Sequence, residues 1–386
     1  MIYIAERARR ACAFLFGMTY MLSGITKLLD PVGASLVMDA YFDFLHLGFL
    51  SFAAKPLGVF MAFIETLVGV ALMTGVWRKI GAIAAFGLHG FFTLITILLV
   101  IFKPDMDCGC FGEALSLSHT ASLVKNIFLL LLLVAAFIPF RDLGQPTKKK
   151  YVSFGLVMLS VTGFAIWSWL SIPLVDYTDF APGTMLSASD HSNAGEEVMF
   201  ESQFIYEKDG EERAFSLDDL PDSTWTFVQT RTVRIDGRKE AVFSFSDIDG
   251  QYHDELATEG QVMLVTAYNR KGLDWTRIAD FVHVSRNLGF NPLVVVSGKV
   301  DVPADMVAYR TDYKTAVTIN RSNGGVTYIN NGQIITKWPA RSMPDTDTLA
   351  ETYVDDETEI LEEHSSRRRL LYHCFRLFLF AVILLV

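Results

Sequence analysis

Hydrophobic residues along this chain are concentrated in long blocks instead of alternating with polar ones. A helix needs roughly 20 apolar residues to cross the hydrocarbon core of a bilayer. Five blocks reach or approach that length: 11–29, 56–76, 80–102, 119–140 and 151–170. The pattern predicts an α-helical membrane protein in the lipid bilayer, with a four-span unit over residues 1–145 and a fifth transmembrane helix over 146–172.

Basic residues beside the blocks predict the orientation, because Lys and Arg concentrate in the short cytoplasmic loops of membrane proteins. The clusters fall on one side of the membrane if the N-terminus is cytoplasmic. They comprise Arg7, Arg9, Arg10, Arg78, Lys79, Arg141, Lys148, Lys149 and Lys150. We therefore expect connections 30–55 and 103–118, and the residues after the fifth span, to face the periplasm or the cell exterior.

After the fifth span the pattern changes to short β-rich runs, which predicts an extracytoplasmic α/β domain over residues 173–348. Turn signals separate the runs at Lys208-Asp209-Gly210, Ile235-Asp236-Gly237, Ile248-Asp249-Gly250 and Asn330-Asn331-Gly332. The second half predicts a strand at 261–268, a helix at 274–288, a strand at 292–297 and a hairpin of strands 325–329 and 333–338. In element order this segment resembles a thioredoxin-like fold.

The residues that make a thioredoxin-like domain catalytic are missing from this segment. An active domain carries Cys-x-x-Cys after its first core strand, but Asn269 to Trp275 contain no cysteine. Such folds also place a cis-proline before the third core strand, where this chain has Arg321-Ser322-Asn323-Gly324. We expect a module that binds or positions a partner without thiol chemistry of its own.

The last residues, 349–386, combine an acidic stretch, three arginines at 367–369 and an apolar run at 370–386. The apolar run is short for a span, and the arginines lie on the wrong side if the preceding domain is outside. A spanning helix and a membrane-surface or non-native tail are equally compatible with this pattern.

The charge of the chain bears on one class of partner. A net charge of −10 without a basic stripe argues against nucleic-acid binding.

The spacing of the cysteines directs attention to one connection between spans. Among four cysteines, Cys108 and Cys110 flank Gly109 in an extracytoplasmic loop, where a disulfide can persist. A bridge across one residue needs a tight turn, which glycine allows, and a strained disulfide exchanges readily. The pair therefore predicts thiol–disulfide redox chemistry.

Other interpretations of the pair stay open on the sequence. The cysteines could form a structural disulfide, remain as buried thiols, or bind a metal with His119, although the usual zinc spacings are absent. Nearby charges act on the thiol pKa in both directions, and the sequence does not decide which prevails. Asp105, Asp107 and Glu113 would raise it, whereas Lys103 and His119 would lower it.

Ionisable residues inside apolar spans are costly and are functional candidates by default. Tyr20, Glu65 and His89 all lie near the expected bilayer midplane and could share one polar pocket. We consider them a candidate proton or quinone site, since a quinone would accept electrons from a cysteine pair. The alternative is a hydrogen-bonded cluster that determines helix register.

Several anchors in order carry a resemblance to a known family. They are Ser23-Gly24-Ile25-Thr26-Lys27-Leu28-Leu29-Asp30-Pro31, then Glu65-x-x-x-Gly69-x-x-Leu72-x-x-Gly75, then Cys108-Gly109-Cys110-Phe111-Gly112 and Lys125-Asn126. Residues 1–140 resemble the DoxX-like membrane families, and among them the MauE (methylamine utilisation) branch. The resemblance implies a bacterial inner-membrane protein that matures a disulfide-rich periplasmic enzyme beside a thioredoxin-like partner, with the redox role on Cys108 and Cys110.

Three functions follow as hypotheses. The first is a membrane thiol–disulfide redox or maturation factor that acts on extracytoplasmic client or thioredoxin-like proteins through Cys108 and Cys110. The second is a non-catalytic membrane scaffold. The third is a quinone-linked subunit of a larger DoxX-type oxidoreductase. Whether the chain is an enzyme is left open by these alternatives.

Overall fold

A computed structural model describes residues 2–385 except 105, 107, 116, 139–145, 188–199, 209–210, 216–225, 235–239, 299 and 305. The end of the predicted fourth span and the turn signals at 209–210 and 236–237 therefore lie outside the described residues.

Among the residues that the structure describes, five helices are long and apolar enough to cross a membrane, and they coincide with the five predicted spans. The first six helices are α1 Ile2–Leu29, α2 Pro31–Phe44, α3 Ala54–Thr74, α4 Arg78–Phe102, α5 His119–Phe137 and α6 Lys148–Leu170. All except α2 are candidate spans. The prediction of an α-helical membrane protein is confirmed.

Glycines let α1 and α3 pack with their backbones almost in contact. A Cβ atom on Gly17 would lie 2.6 Å from the carbonyl oxygen of Gly69, and one on Gly69 would lie 2.5 Å from the backbone nitrogen of Met21. Small residues allow this close approach in a bilayer, where association depends on van der Waals contact. The result is a tight helix pair that carries polar residues from both partners on one side.

The short helix α2 is an element that the sequence pattern did not predict. It begins at Pro31, whose ring is tolerated in the first helical turn, and the Asp30 carboxylate accepts a hydrogen bond from the Gly33 backbone nitrogen at 2.9 Å. It packs on α3, where a Cβ on Gly58 would lie 3.0 Å from the Ala34 carbonyl oxygen. This helix forms a wall beside the cysteine loop.

Among the described residues, the part that follows the fifth span, called here the C-terminal domain, contains two sheets. The strands of the protein are β1 Cys110–Glu113, β2 Met185–Ser187, β3 Phe200–Lys208, β4 Glu211–Phe215, β5 Thr226–Arg234, β6 Glu240–Val242, β7 Gln261–Ala267, β8 Asn291–Ser297, β9 Tyr309–Thr311, β10 Gly325–Asn330 and β11 Gln333–Trp338. Seven form a mixed sheet in the order β6-β2-β11-β10-β7-β8-β9, and three form a sheet in the order β4-β3-β5.

The helices that follow the membrane region are α7 Trp275–Asn287, α8 Tyr313–Ile319, α9 Thr346–Val354 and α10 Glu357–Leu385. Strands β7 and β8 are parallel and α7 connects them, whereas β10 is antiparallel to β7. Asn331 and Gly332 have positive φ and close the β10–β11 hairpin, as the Asn-Gly signal predicted. The predicted strand, helix and hairpin positions agree with these bounds.

The tail forms the second half of α10 and lies antiparallel to α6. The Lys150 ammonium donates to the carbonyl oxygen of Ile383 at 3.1 Å, and the Phe164 and Phe375 rings stack with their centroids 4.6 Å apart. The helix is not among the five candidate spans. Its packing nevertheless brings both ends of the C-terminal domain to one side of the helix bundle.

Candidate thiol site beside a membrane cavity

A mostly apolar cavity of about 380 Å³ lies inside the helix bundle. Residues of α1 to α5 and of the cysteine loop line it, so several helices contribute to one space. The structure brings all the candidate residues of the sequence to this cavity: Tyr20, Glu65, His89, Cys108 and Cys110. The shared pocket expected for the three intramembrane residues therefore also contains the cysteine pair.

A tight turn brings the two cysteines together. Their Sγ atoms are 3.1 Å apart, within hydrogen-bonding distance for sulfur, and Gly109 between them has a φ of +62°. A side chain on Gly109 would also overlap Val37 of α2. The Tyr41 hydroxyl, again from α2, donates to the carbonyl oxygen of Cys108 at 2.6 Å. Helix α2 thus supports the turn on two sides.

The two thiols have different surroundings. Cys108 is only 4% exposed, whereas Cys110 is partly exposed. A hydrogen bond from the Cys108 thiol, together with the ammonium groups of Lys125 and Lys27, outweighs burial and lowers the pKa of Cys110 to about 5. The same hydrogen bond and burial raise the pKa of Cys108. Cys110 is therefore the thiolate of the pair at neutral pH, and thiolates are the nucleophiles in disulfide exchange.

The charges that act on the pair are not the ones nearest in sequence. The His119 Nε2 atom lies 2.8 Å from the Met106 carbonyl oxygen, and Glu113 pairs with Arg321. Asp105 and Asp107 lie outside the described residues.

Among the residues that the structure describes, no group of His, Cys, Asp and Glu has metal-site geometry.

A polar chain joins Glu65 to the cysteine loop. The Lys27 ammonium lies 2.6 Å from Glu65 Oε1, and the Ser23 hydroxyl lies 2.7 Å from Glu65 Oε2. The same hydroxyl lies 2.6 Å from the Cys110 carbonyl oxygen. Because a serine carries one hydroxyl proton, it donates to one of these acceptors at a time. The Ser23 hydroxyl therefore connects the Glu65 carboxylate to the backbone of Cys110.

A second polar chain crosses the cavity wall from α1 to α5. His89 Nε2 lies 2.9 Å from the backbone carbonyl oxygen of Asn126, which can only accept, so this nitrogen is the donor. In the neutral ring Nδ1 is then the acceptor, and the Tyr20 hydroxyl donates to it at 2.9 Å. Tyr20 and His89 thus satisfy each other, and they connect three helices as the register hypothesis requires.

Sequence reasoning missed several residues of the site. Ser23, Lys27 and Lys125 lie within the anchors that carry the family resemblance. The sequence therefore marked these positions but did not indicate what the side chains do chemically. Tyr41 belongs to a helix that the sequence pattern did not predict, and Arg321 lies far along the chain in another domain. Nothing in the hydrophobic pattern distinguishes either of them.

Comparisons with known proteins give two family matches within the chain. Residues 200–236 match a domain of unknown function, DUF8463. No curated protein and no solved structure matches the chain. Residues 5–139, which contain the cysteine pair and the membrane residues described around the cavity, match the family described as Methylamine utilisation protein MauE. The chain is thus an α-helical membrane protein in which residues 5–139 are similar to the MauE family.

Proposed function

We propose that the chain is a membrane thiol–disulfide redox or maturation factor that acts on extracytoplasmic clients through Cys108 and Cys110. The observation that carries the proposal is a cysteine pair with Sγ atoms 3.1 Å apart in the wall of a membrane cavity. The proposed setting is a bacterial inner membrane, with the pair and the C-terminal domain in the periplasm, where disulfides persist.

The proposed exchange assigns different roles to the two cysteines. For a client that arrives oxidised, the Cys110 thiolate attacks a disulfide sulfur, a mixed disulfide forms and one client thiolate leaves. The Cys108 thiol then loses its proton and attacks the Cys110 sulfur, which releases the second client thiolate and leaves a Cys108–Cys110 disulfide. A client that arrives as a dithiol reverses these steps, so the relative reduction potentials determine the direction.

Trapping separates this function from a non-catalytic scaffold. Cys108→Ser removes the resolving thiol, so mixed disulfides through Cys110 are expected to accumulate on non-reducing gels of membranes. Cys110→Ser is expected to accumulate fewer, and Cys374→Ser, which changes an exposed cysteine of α10, none. If neither Cys108→Ser nor Cys110→Ser forms adducts while both fold normally, the scaffold hypothesis replaces the redox one.

For a client that arrives as a dithiol, the pair is left reduced, and a quinone is the second part of the proposal, as the electron acceptor that returns the pair to its disulfide. Phe91 lines the cavity but is also 52% exposed on α4, and Leu45 after α2 is 37% exposed, so the cavity borders the lipid-facing surface. Lys27 and Lys125 supply N–H donors for carbonyl oxygens. A quinone takes two electrons and two protons from a dithiol. Tyr20, Glu65 and His89 would line its site.

Bound quinone tests this second part directly. Ile95 lines the cavity, whereas Ile97 on the same helix is 39% exposed and does not. Ile95→Trp is expected to remove the quinone that is extracted from purified protein, and Ile97→Trp to retain it. Absence of quinone from the wild-type protein, with normal thiol reoxidation, would exclude a quinone as acceptor and with it the quinone-linked subunit.

The C-terminal domain is proposed to be a thioredoxin-like module that presents clients, and the membrane part to be related to DoxX-like proteins. The strand order β11-β10-β7-β8, with α7 between β7 and β8, supports the first statement. A photo-crosslinker at Lys271, in the turn after β7, is expected to capture clients of trapped Cys108→Ser protein. Capture from Asn287, at the far end of α7, but not from Lys271 would contradict this placement.

A further inference from the structure

Arg321 is a charged side chain of the C-terminal domain that is buried against the membrane region. Its side chain is only 2% exposed. The Nε atom donates to Asp30 Oδ2 at 3.0 Å, and Nη2 forms an ion pair with Glu113. Removing a guanidinium from water is energetically costly unless good partners replace the water. The two carboxylates are those partners, and both belong to the membrane region.

The C-terminal domain fixes the loop that carries this arginine. Arg321 follows α8 and precedes β10, and its Nη1 atom lies 3.4 Å from the carbonyl oxygen of Val317 in α8. The Tyr268 hydroxyl donates to the carbonyl oxygen of Arg321 at 2.7 Å. The guanidinium is therefore part of a rigid surface of the domain, and its position reports where the whole domain sits.

Each of the two carboxylates connects to a different side of the cysteine turn. Glu113 ends β1, the strand that begins with Cys110. Asp30 caps α2, and α2 supplies the Val37 contact to Gly109. One guanidinium thus connects both walls of the turn, through β1 on the Cys110 side and through α2 on the Cys108 side.

The geometry points to Arg321 as a positioning residue for the cysteine pair, so that seating of the C-terminal domain controls the nucleophilicity of Cys110. This inference rests on the proposed thiol function. With the domain seated, Arg321 neutralises Glu113 three residues after Cys110 and fixes α2 against the turn. With the domain lifted, Glu113 at the end of the strand that begins with Cys110 stands unneutralised, and α2 loses its contact with Arg321 through Asp30. Client access and thiol reactivity would change together.

The charge balance at the junction agrees with this role. Burial raises the pKa of Glu113, and Arg321 opposes that rise. Burial disfavours the charged guanidinium, but Asp30 and Glu113 outweigh it and raise the pKa of Arg321. The arginine therefore stays charged at any pH at which the protein is folded, and only movement of the domain can remove its charge from the turn.

The test measures alkylation of Cys110 against pH in full-length protein with Cys12→Ser and Cys374→Ser, using fragment-ion mass spectrometry to assign the modified cysteine. Arg321→Gln is expected to move the inflection upward by at least about one pH unit, a tenfold fall in rate well below the inflection. Arg321→Lys keeps the charge without the planar fork and is expected to recover part of the shift.

The matched control is Arg270→Gln, which removes an arginine of the same domain from an exposed pair with Asp301 and should leave the inflection unchanged. Asp30→Asn keeps a capping side chain for α2 but weakens the seat of Arg321, and it should move the inflection upward by less. If Arg321→Gln does not fold, Asp30→Asn takes its place in the test.

An unchanged inflection in a folded Arg321→Gln or Asp30→Asn variant would overturn the positioning role. Failure of the proposed function looks different. In that case the trapping experiment gives no mixed disulfide from Cys108→Ser, whatever the alkylation profile shows. The inference is also contradicted if Arg321→Lys shifts the inflection as far as Arg321→Gln does, because charge at residue 321 would then not act on the thiol.

Discussion

The membrane region and the C-terminal domain each bury a lysine–carboxylate pair of nearly the same length. Lys27 and Glu65 are 2.6 Å apart with side chains 17% and 3% exposed, and Lys337 and Asp176 are 2.7 Å apart with side chains 4% and 12% exposed. The first pair lines a cavity of about 380 Å³, whereas the second lines one of about 50 Å³. The two pairs have the same chemistry but differ in the volume of the cavity beside them.

The difference separates a structural pair, which protein encloses almost completely, from a pair beside open volume. Around Lys337 most of the space is filled by protein: Arg368 of α10 donates to the Lys337 carbonyl oxygen at 3.0 Å, and Asp176 also accepts from the Thr178 backbone nitrogen. Around Glu65 a larger volume is left beside the cysteine loop. A buried charge next to open volume can meet a ligand or water, whereas one without it can only stabilise the fold.

The largest expected effect is on the structural pair. Lys337→Met leaves the Asp176 carboxylate buried without its cation, and such a loss typically costs about 3–5 kcal/mol of unfolding free energy. Thermal unfolding in detergent measures it. The control is Arg270→Gln, since exposed pairs contribute about 0–1 kcal/mol. Equal effects of the two substitutions would contradict the structural assignment.

The same pair gives a pH dependence. Burial disfavours the Asp176 carboxylate, but Lys337 outweighs it, so the pKa of Asp176 is lowered. A lowered carboxylate pKa contributes stability that is complete above the unfolded pKa of about 3.9 and is lost as pH falls through the folded value. The unfolding temperature of wild type should therefore fall more steeply than that of Lys337→Met below about pH 4.

A smaller loss of stability is expected from the cavity pair. In Lys27→Met the neighbouring volume lets water hydrate Glu65, so the cost approaches that of one charged hydrogen bond, about 1.5–3 kcal/mol. Reoxidation of Cys108 and Cys110 in membranes should slow at the same time, and Lys337→Met should leave it unchanged. If Lys27→Met destabilises as much as Lys337→Met, the contrast between the two regions fails.

Glycines with a left-handed backbone conformation allow a third comparison between the membrane region and the C-terminal domain. Gly109→Ala places a side chain at φ +62° against Val37, and the backbone alone costs about 1–2 kcal/mol. The substitution is expected to slow alkylation of Cys110 because the turn shifts. Gly332→Ala, at φ +83° in the β10–β11 hairpin, should cost a similar amount of stability and leave alkylation unaffected. A thiol effect of Gly332→Ala would argue against this separation.

The smallest expected effect concerns the thiol itself. Because the Cys108 hydrogen bond is the main cause of the lowered pKa of Cys110, Cys108→Ala should move the alkylation inflection upward from about pH 5. A shift of one unit corresponds to about 1.4 kcal/mol. Thiolate remains the reactive form above the inflection in both proteins. An inflection that stays at its wild-type position would mean that Lys125 and Lys27 alone determine the pKa.

The sequence predicted the elements whose pattern is periodic and local. The five spans and the core strands of the C-terminal domain agree with the structure because apolar length and alternation report burial directly. Helix α2 was missed because residues 31–44 are too few for a span and contain Asp39 and Asp43 among apolar residues. The sequence pattern also left the tail undecided, since its packing partner α6 lies more than 200 positions away.

The residues of the candidate site also divide into those that the local sequence pattern identified and those that it did not. Glu65 and His89 were identified because an ionisable residue inside an apolar block is conspicuous, and the cysteines because of their spacing. Arg321 was not, since an arginine in a polar loop is ordinary until its two carboxylate partners are known. Contacts between residues about 200 to 290 positions apart leave no mark on hydrophobic periodicity.

The packing of α10 along α6 also has a mechanical consequence. The C-terminal domain is attached to the bundle at both of its ends, by the neighbouring helices α6 and α10. Return of Arg321 to its carboxylates is then an intramolecular event with a high effective concentration, independent of how much protein the membrane holds. A free partner that competes for the cysteine turn must overcome that tether, and a single cut between α9 and α10 would release one of its two attachments.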